Sequence, residues 1–155
     1  MKKAIILFII LVLIAVSGII FQSYRKNGIS FLKSPKATIN NHYFNLTVVK
    51  TLKETQVGLS EKKSLDQNSG MFFVFEGPAF YSFWMKNMKF PIDIIFIKGD
   101  KIVTIYENVN PPKTINESLS TYKPEEPADK VLEINAGLSK KYNIKKGNTV
   151  KIENL

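Results

Sequence analysis

Residues 4–21, AIILFIILVLIAVSGIIF, form an apolar run without a charge, interrupted only by Ser17 and Gly18. As a helix this run extends roughly 27 Å at about 1.5 Å per residue, close to the ~30 Å hydrocarbon core of a bilayer. It has no polar face, which argues against a helix packed on the side of a globular core. Residues 1–21 therefore read as a membrane anchor, one N-terminal transmembrane helix preceded by Lys2 and Lys3. The rival is a cleaved signal peptide, since Ala15-Val16-Ser17 has the small residues of a cleavage site. Ile19, Ile20 and Phe21 carry the apolar run past that point, which favours the anchor.

The formal charge of +9 is unevenly placed. Lys2 and Lys3 precede the apolar run; Arg25, Lys26, Lys33 and Lys36 follow it, with no acid among residues 22–37. Residues 38–155 hold 16 Lys against 13 Asp or Glu, leaving only +3. The excess thus flanks the anchor, where Arg25, Lys26, Lys33 and Lys36 would meet an anionic lipid surface. A nucleic-acid-binding domain would carry its basic footprint on the folded part, so no nucleic-acid partner is expected. Two lysines ahead of an apolar run favour a cytoplasmic N-terminus and an extracytoplasmic domain, or a secreted one if the signal is cleaved. The basic residues after the run argue the other way by count, but a whole domain can translocate despite them.

Residues 22–37 contain Gly28 and Pro35, show no sustained period, and read as a basic juxtamembrane linker. From residue 43 the pattern turns β. Phe44, Leu46 and Val48 alternate with Asn45 and Thr47, as in a half-buried strand. Thr51 and Glu54 have the spacing of a capping box, opening a short helix that ends near Gly58. The apolar runs 71–75, 80–85 and 92–97 read as buried strands, and Gly99-Asp100 as a two-residue hairpin loop leading into residues 102–106. Residues 108–130, with four prolines, read as one long loop; 131–135 as a strand, 138–142 as a helical turn, 149–153 as a closing strand. The expected fold is mostly β: a small β-barrel-like or sandwich domain over residues 38–155 with one or two short helices.

Several of these blocks occur together in order: Gly58-Leu59, Gly70-Met71-Phe72-Phe73-Val74-Phe75, Phe83-Trp84-Met85-Lys86-Asn87, Pro91-Ile92-Asp93-Ile94-Ile95-Phe96-Ile97, Val131-Leu132-Glu133-Ile134-Asn135-Ala136-Gly137 and Gly147. Over roughly residues 40–153 the chain resembles the domain of unknown function 192 family, also called uncharacterised protein family 0127. The resemblance implies a compact β-barrel-like domain, an export signal in many relatives, and no established activity. The chain departs from the family pattern at three places. Ser60 stands where Met is usual, Thr55-Gln56-Val57 where an Arg often precedes the glycine, and Met88 where Thr follows Lys-Asn.

The candidate ligand-binding residues are Trp84, Lys86, Asn87, Asp93 and Glu133. In an extended segment Trp84 and Lys86 share one face, Met85 and Asn87 the other. An aromatic plate beside a cation and an amide suits a small ligand or a sugar. The structural alternative makes Trp84 and Met85 core residues and Asn87 a turn residue. Asp93 and Glu133 each interrupt an apolar strand. They are either an acid and base for glycoside hydrolysis, partners for Lys86, or acceptors for backbone N–H groups that hold a loop. There is no cysteine, and His42 is the lone histidine, so neither a thiolate nucleophile, a Ser-His-Asp triad nor a metal site is expected; no cofactor motif is present. Whether the domain is an enzyme is left open. A non-enzymatic binding or accessory module fits the sequence best. A small enzyme acting on cell-envelope polysaccharide through Asp93 and Glu133 is the alternative, and an assembly role through residues 108–130 with a protein partner is a third.

Overall fold

The structure is a computed structural model and describes residues 12–19, 22, 34–114 and 116–155. The chain divides into two units, residues 1–33 and 34–155. In the first, residues 12–19 are helical. Among the described residues no helix is long and apolar enough to cross a membrane. Most of the predicted transmembrane segment lies outside the described residues, as do Arg25, Lys26 and Lys33.

The second unit is the mostly β domain that the sequence predicts. Its strands are β1 (Lys36–Ile39), β2 (His42–Val49), β3 (Ser69–Ala79), β4 (Phe83–Trp84), β5 (Ile92–Lys98), β6 (Lys101–Val109), β7 (Thr121–Tyr122), β8 (Ala128–Asn135) and β9 (Lys151–Glu153). Two short helices, α1 (Leu52–Val57) and α2 (Leu138–Lys141), complete it. Seven strands form one sheet in the order β6-β5-β8-β3-β2-β1-β9, and β4 pairs with β7 in a second. Only β2 and β3 run parallel in the large sheet, since α1 carries the chain back between them. The sheet curls into a half-barrel whose edges meet at one end. There Thr149 bridges Lys101, and the Ile102 N–H donates to the Asn148 carbonyl at 3.0 Å.

Period-2 alternation on a sheet covered on both faces explains the continuous apolar runs. Phe72, Ile95, Ile97, Leu132 and Ile134 point into one core with Phe44 and Leu46. Met71, Phe73, Ile94, Phe96 and Val131 point into the other, with Phe83 and Met85 from the small sheet side. Edge-to-face ring pairs run through this second core, from Phe73 to Phe83 (5.1 Å), Phe96 (5.7 Å) and Tyr106 (6.1 Å). Removing a fully buried ring such as Phe72 or Phe96 would cost about 3–5 kcal/mol.

Local signals held where they were strong. Thr51 caps α1, Glu54 closes the capping box, and Gly58 ends the helix. Gly99 and Asp100 form the two-residue turn between Lys98 and Lys101. Three boundaries differ. β1 starts at Lys36, so the end of the predicted linker belongs to the sheet; its two-strand pairing, not its four residues, makes it a strand. The run 80–85 contributes only two strand residues. The long loop 108–130 is cut down by the extension of β6 to Val109, by β7 and by the start of β8 at Ala128.

Candidate functional site

The two carboxylates singled out in the sequence face opposite sides of the sheet. Asp93 on β5 lies opposite Ile134, while Glu133 on β8 lies opposite Ile94. Directly paired residues share a face and neighbours alternate, so adjacent registers send these two groups apart. They cannot act as the acid and base of one reaction.

Asp93 is fully buried and fully engaged. Its Oδ1 accepts from the N–H of Asn108 (2.8 Å) and of Gly137 (3.0 Å), and its Oδ2 from the N–H of Ser139 (2.8 Å). The Asn108 bond fixes a bulge where β6 slips register against β5, with Asn108 at φ 53°. The other two fix the turn from β8 into α2. Asp93 is a structural tie between three elements, the loop-holding role among the readings the sequence allowed.

Among the described residues Glu133 has no such partners. It sits on the interior strand β8 between Met71 of β3 and Ile94 of β5, 6 % exposed. Burial pushes its carboxyl up to about 8, with desolvation as the sole cause. At neutral pH it therefore holds its proton, and it can both donate and accept a hydrogen bond. Two residues along, Asn135 donates from Nδ2 to the carbonyls of Leu65 (2.9 Å) and Asp66 (3.2 Å), pinning the loop before β3 and leaving Glu133 alone beside it.

What Glu133 faces is a small cavity of about 60 Å³, with the end of α1 along one side and Phe73 and Phe83 within it. Trp84 and Lys86 also line it. Trp84 is 54 % exposed and its indole lies 5.9 Å from the Lys86 Nζ, a cation–π pair. The core reading of this block thus holds for Met85, which is buried, and not for Trp84. Asn87 does not reach the cavity; it is an exposed turn residue at φ 60°, a conformation Asn tolerates well. The structure therefore brings together Trp84, Lys86 and Glu133, and places Asn87 and Asp93 elsewhere.

Sequence reasoning missed the rim formed by residues 55–60. A signal was present: Thr55-Gln56-Val57, Ser60 and Met88, the three departures from the family pattern, all line this cavity. Gly58 turns the rim at φ 50° and ψ −133°, which disfavours any side chain there. No cation from residues 55–57 reaches Glu133, and Lys86 is the other charged side chain lining the cavity among the described residues. A second cavity of about 320 Å³ lies between β6 and residues 110–120, and none of the buried polar side chains lines it. No group of three or more metal-ligating side chains occurs among the described residues.

Comparison with known proteins places the fold. A crystal structure of a protein of unknown function from Novosphingobium aromaticivorans DSM 12444 is similar at 31 % identity and a TM-score of 0.66, over 75 % of this chain and 83 % of that one. A second, from Sinorhizobium meliloti 1021, carries a provisional transcription-regulator name; it is similar at 26 % identity and a TM-score of 0.67, over 78 % and 93 %. No curated protein matches the chain. The family profile of DUF192, described as an uncharacterized ACR, matches residues 35–152, nearly all of the half-barrel and every residue lining its cavity, and the chain belongs to that family.

Proposed function

We propose that the chain is a membrane-tethered, non-enzymatic carbohydrate-binding module of the cell envelope, with Trp84, Lys86 and Glu133 as its site. The observation that carries the reading is an exposed indole at the rim of a cavity lined by the mostly buried Glu133 carboxyl, which has no protein partner among the described residues. A flat indole suits the apolar face of a pyranose ring, and a neutral carboxyl suits its hydroxyl and amide groups. Leaving Glu133 unpaired in the free protein costs stability, and such a cost is expected where a ligand supplies the missing partner. Glycoside hydrolysis by two carboxylates lacks its second group, since Glu133 is the lone carboxyl lining the cavity among the described residues and Asp93 is committed on the other face. Tethering rests on the apolar run 4–21 and on the basic residues that flank it.

The test is binding of the full chain, in a polyoxyethylene detergent, to insoluble envelope polysaccharides, compared with the Trp84→Ala variant. Retention that Trp84→Ala abolishes supports the site; equal retention of both proteins, or none, rejects it. Anchoring is checked separately: the chain should stay in the membrane fraction through alkaline carbonate extraction, and a soluble mature form would show a cleaved signal instead.

A further inference from the structure

We infer that the cavity beneath Trp84 takes the acetamido group of an N-acetylated amino sugar, with Glu133 as the residue that recognises it. This rests on the carbohydrate-binding reading above and adds the class of sugar. Three observations carry it. The first is size: at about 10–15 Å³ per water, 60 Å³ has room for roughly four to six water-sized heavy atoms. An acetamido group has four (two carbons, one oxygen, one nitrogen), whereas a bare hydroxyl would leave most of the space unfilled.

The second is chemistry. An acetamido group presents one N–H donor, one carbonyl acceptor and a methyl group. A protonated carboxyl offers the reciprocal set, its hydroxyl donating to the amide oxygen and its carbonyl accepting from the amide N–H. Glu133 is the buried charged-type side chain at this cavity, it has no partner of its own among the described residues, and its proton is in place at neutral pH. Phe73 and Phe83 supply an apolar surface for the methyl. The third is placement: Trp84 is at the exposed rim, so a pyranose ring can lie on the indole while its 2-substituent points inward. The charged side chains facing Glu133 from the packed elements reduce to Lys86, since β3 and β5 present Met71 and Ile94 and the end of α1 presents Thr55 and Gln56.

The experiment titrates the full chain, in a polyoxyethylene detergent at pH 6.5, with tri-N-acetylchitotriose and with cellotriose, following the emission of Trp84, the sole tryptophan. The two sugars share a backbone and differ in the 2-substituent and its acetyl group. The expected result is at least tenfold tighter binding of the acetylated sugar, with that preference lost in Glu133→Leu, which keeps the position neutral and apolar and so keeps the fold. The preference should also fall above pH 8 in the parent, as the proton is lost, and should not fall in Glu133→Gln. A preference below tenfold with both sugars bound overturns the acetamido assignment and leaves the carbohydrate-binding reading standing. A preference that survives Glu133→Leu overturns the role of Glu133. Binding of neither sugar, with circular dichroism showing the fold intact, overturns both readings.

Discussion

Replacing Glu133 by glutamine isolates the physical claim on which the site depends. Glutamine has nearly the shape of a protonated glutamate and no charge to bury. The carboxyl is raised from its ordinary 4.5 to about 8 by desolvation. Below pH 4.5 it is protonated in both folded and unfolded chains, so parent and variant should differ by less than ~1 kcal/mol. Between pH 4.5 and 8 the unfolded chain has released the proton while the folded chain still holds it. The folded state then binds more protons, and stability falls as pH rises. Each pH step is worth about 1.4 kcal/mol. The parent should lose about 3 kcal/mol relative to Glu133→Gln by pH 7, and about 5 kcal/mol by pH 8, with no further change above. The assay is urea unfolding of both full chains from pH 4 to 9, followed by far-ultraviolet circular dichroism. Using the difference between the two proteins cancels every other titrating group. A difference that stays flat across this range would refute the reasoning, because it would mean that Glu133 is charged and paired in the folded state.

Asp93→Asn should destabilise by about 3 kcal/mol near pH 7, since an amide nitrogen must then face one of three backbone N–H donors; urea unfolding checks it. Lys86→Met should change stability by less than ~0.5 kcal/mol, and the double variant with Asp93→Asn should be additive, because the two residues serve opposite faces; measurable coupling would contradict this. Gly70→Ala should cost about 1–3 kcal/mol, because its Cβ would stand 2.8 Å from Leu132 Cδ1 and 3.1 Å from the Glu133 carbonyl oxygen; an unchanged unfolding midpoint would argue against that close approach. Trp84, being half exposed, should emit in the native chain like a solvated indole and change little on unfolding, contrary to the behaviour of a core tryptophan.

Features set by neighbours in the chain were legible in the sequence. The capping box of α1, the two-residue turn at Gly99 and Asp100, and the two-sided burial of residues 71–75 and 92–97 follow from spacing and from the period of a strand. The ordered motifs also pointed to the family, and Trp84, Lys86 and Glu133 were singled out for their chemistry alone. What the sequence could not supply was register. Whether Asp93 and Glu133 share a face depends on pairing Ile94 with Glu133 and Asp93 with Ile134. A slip of one residue between those strands would have put the carboxylates on the same side. The same holds for β1, whose four residues become a strand only between β2 and β9. The cavity is tertiary as well: residues 55–60, 73, 82–84, 86, 88 and 133 are brought to one place by the crossover after β2 and by the position of β8 between β5 and β3. Local interactions decide which segments are strands, but long-range pairing decides which side chains meet. In this protein that separates a buried structural tie at Asp93 from a buried acid at Glu133 that faces a cavity.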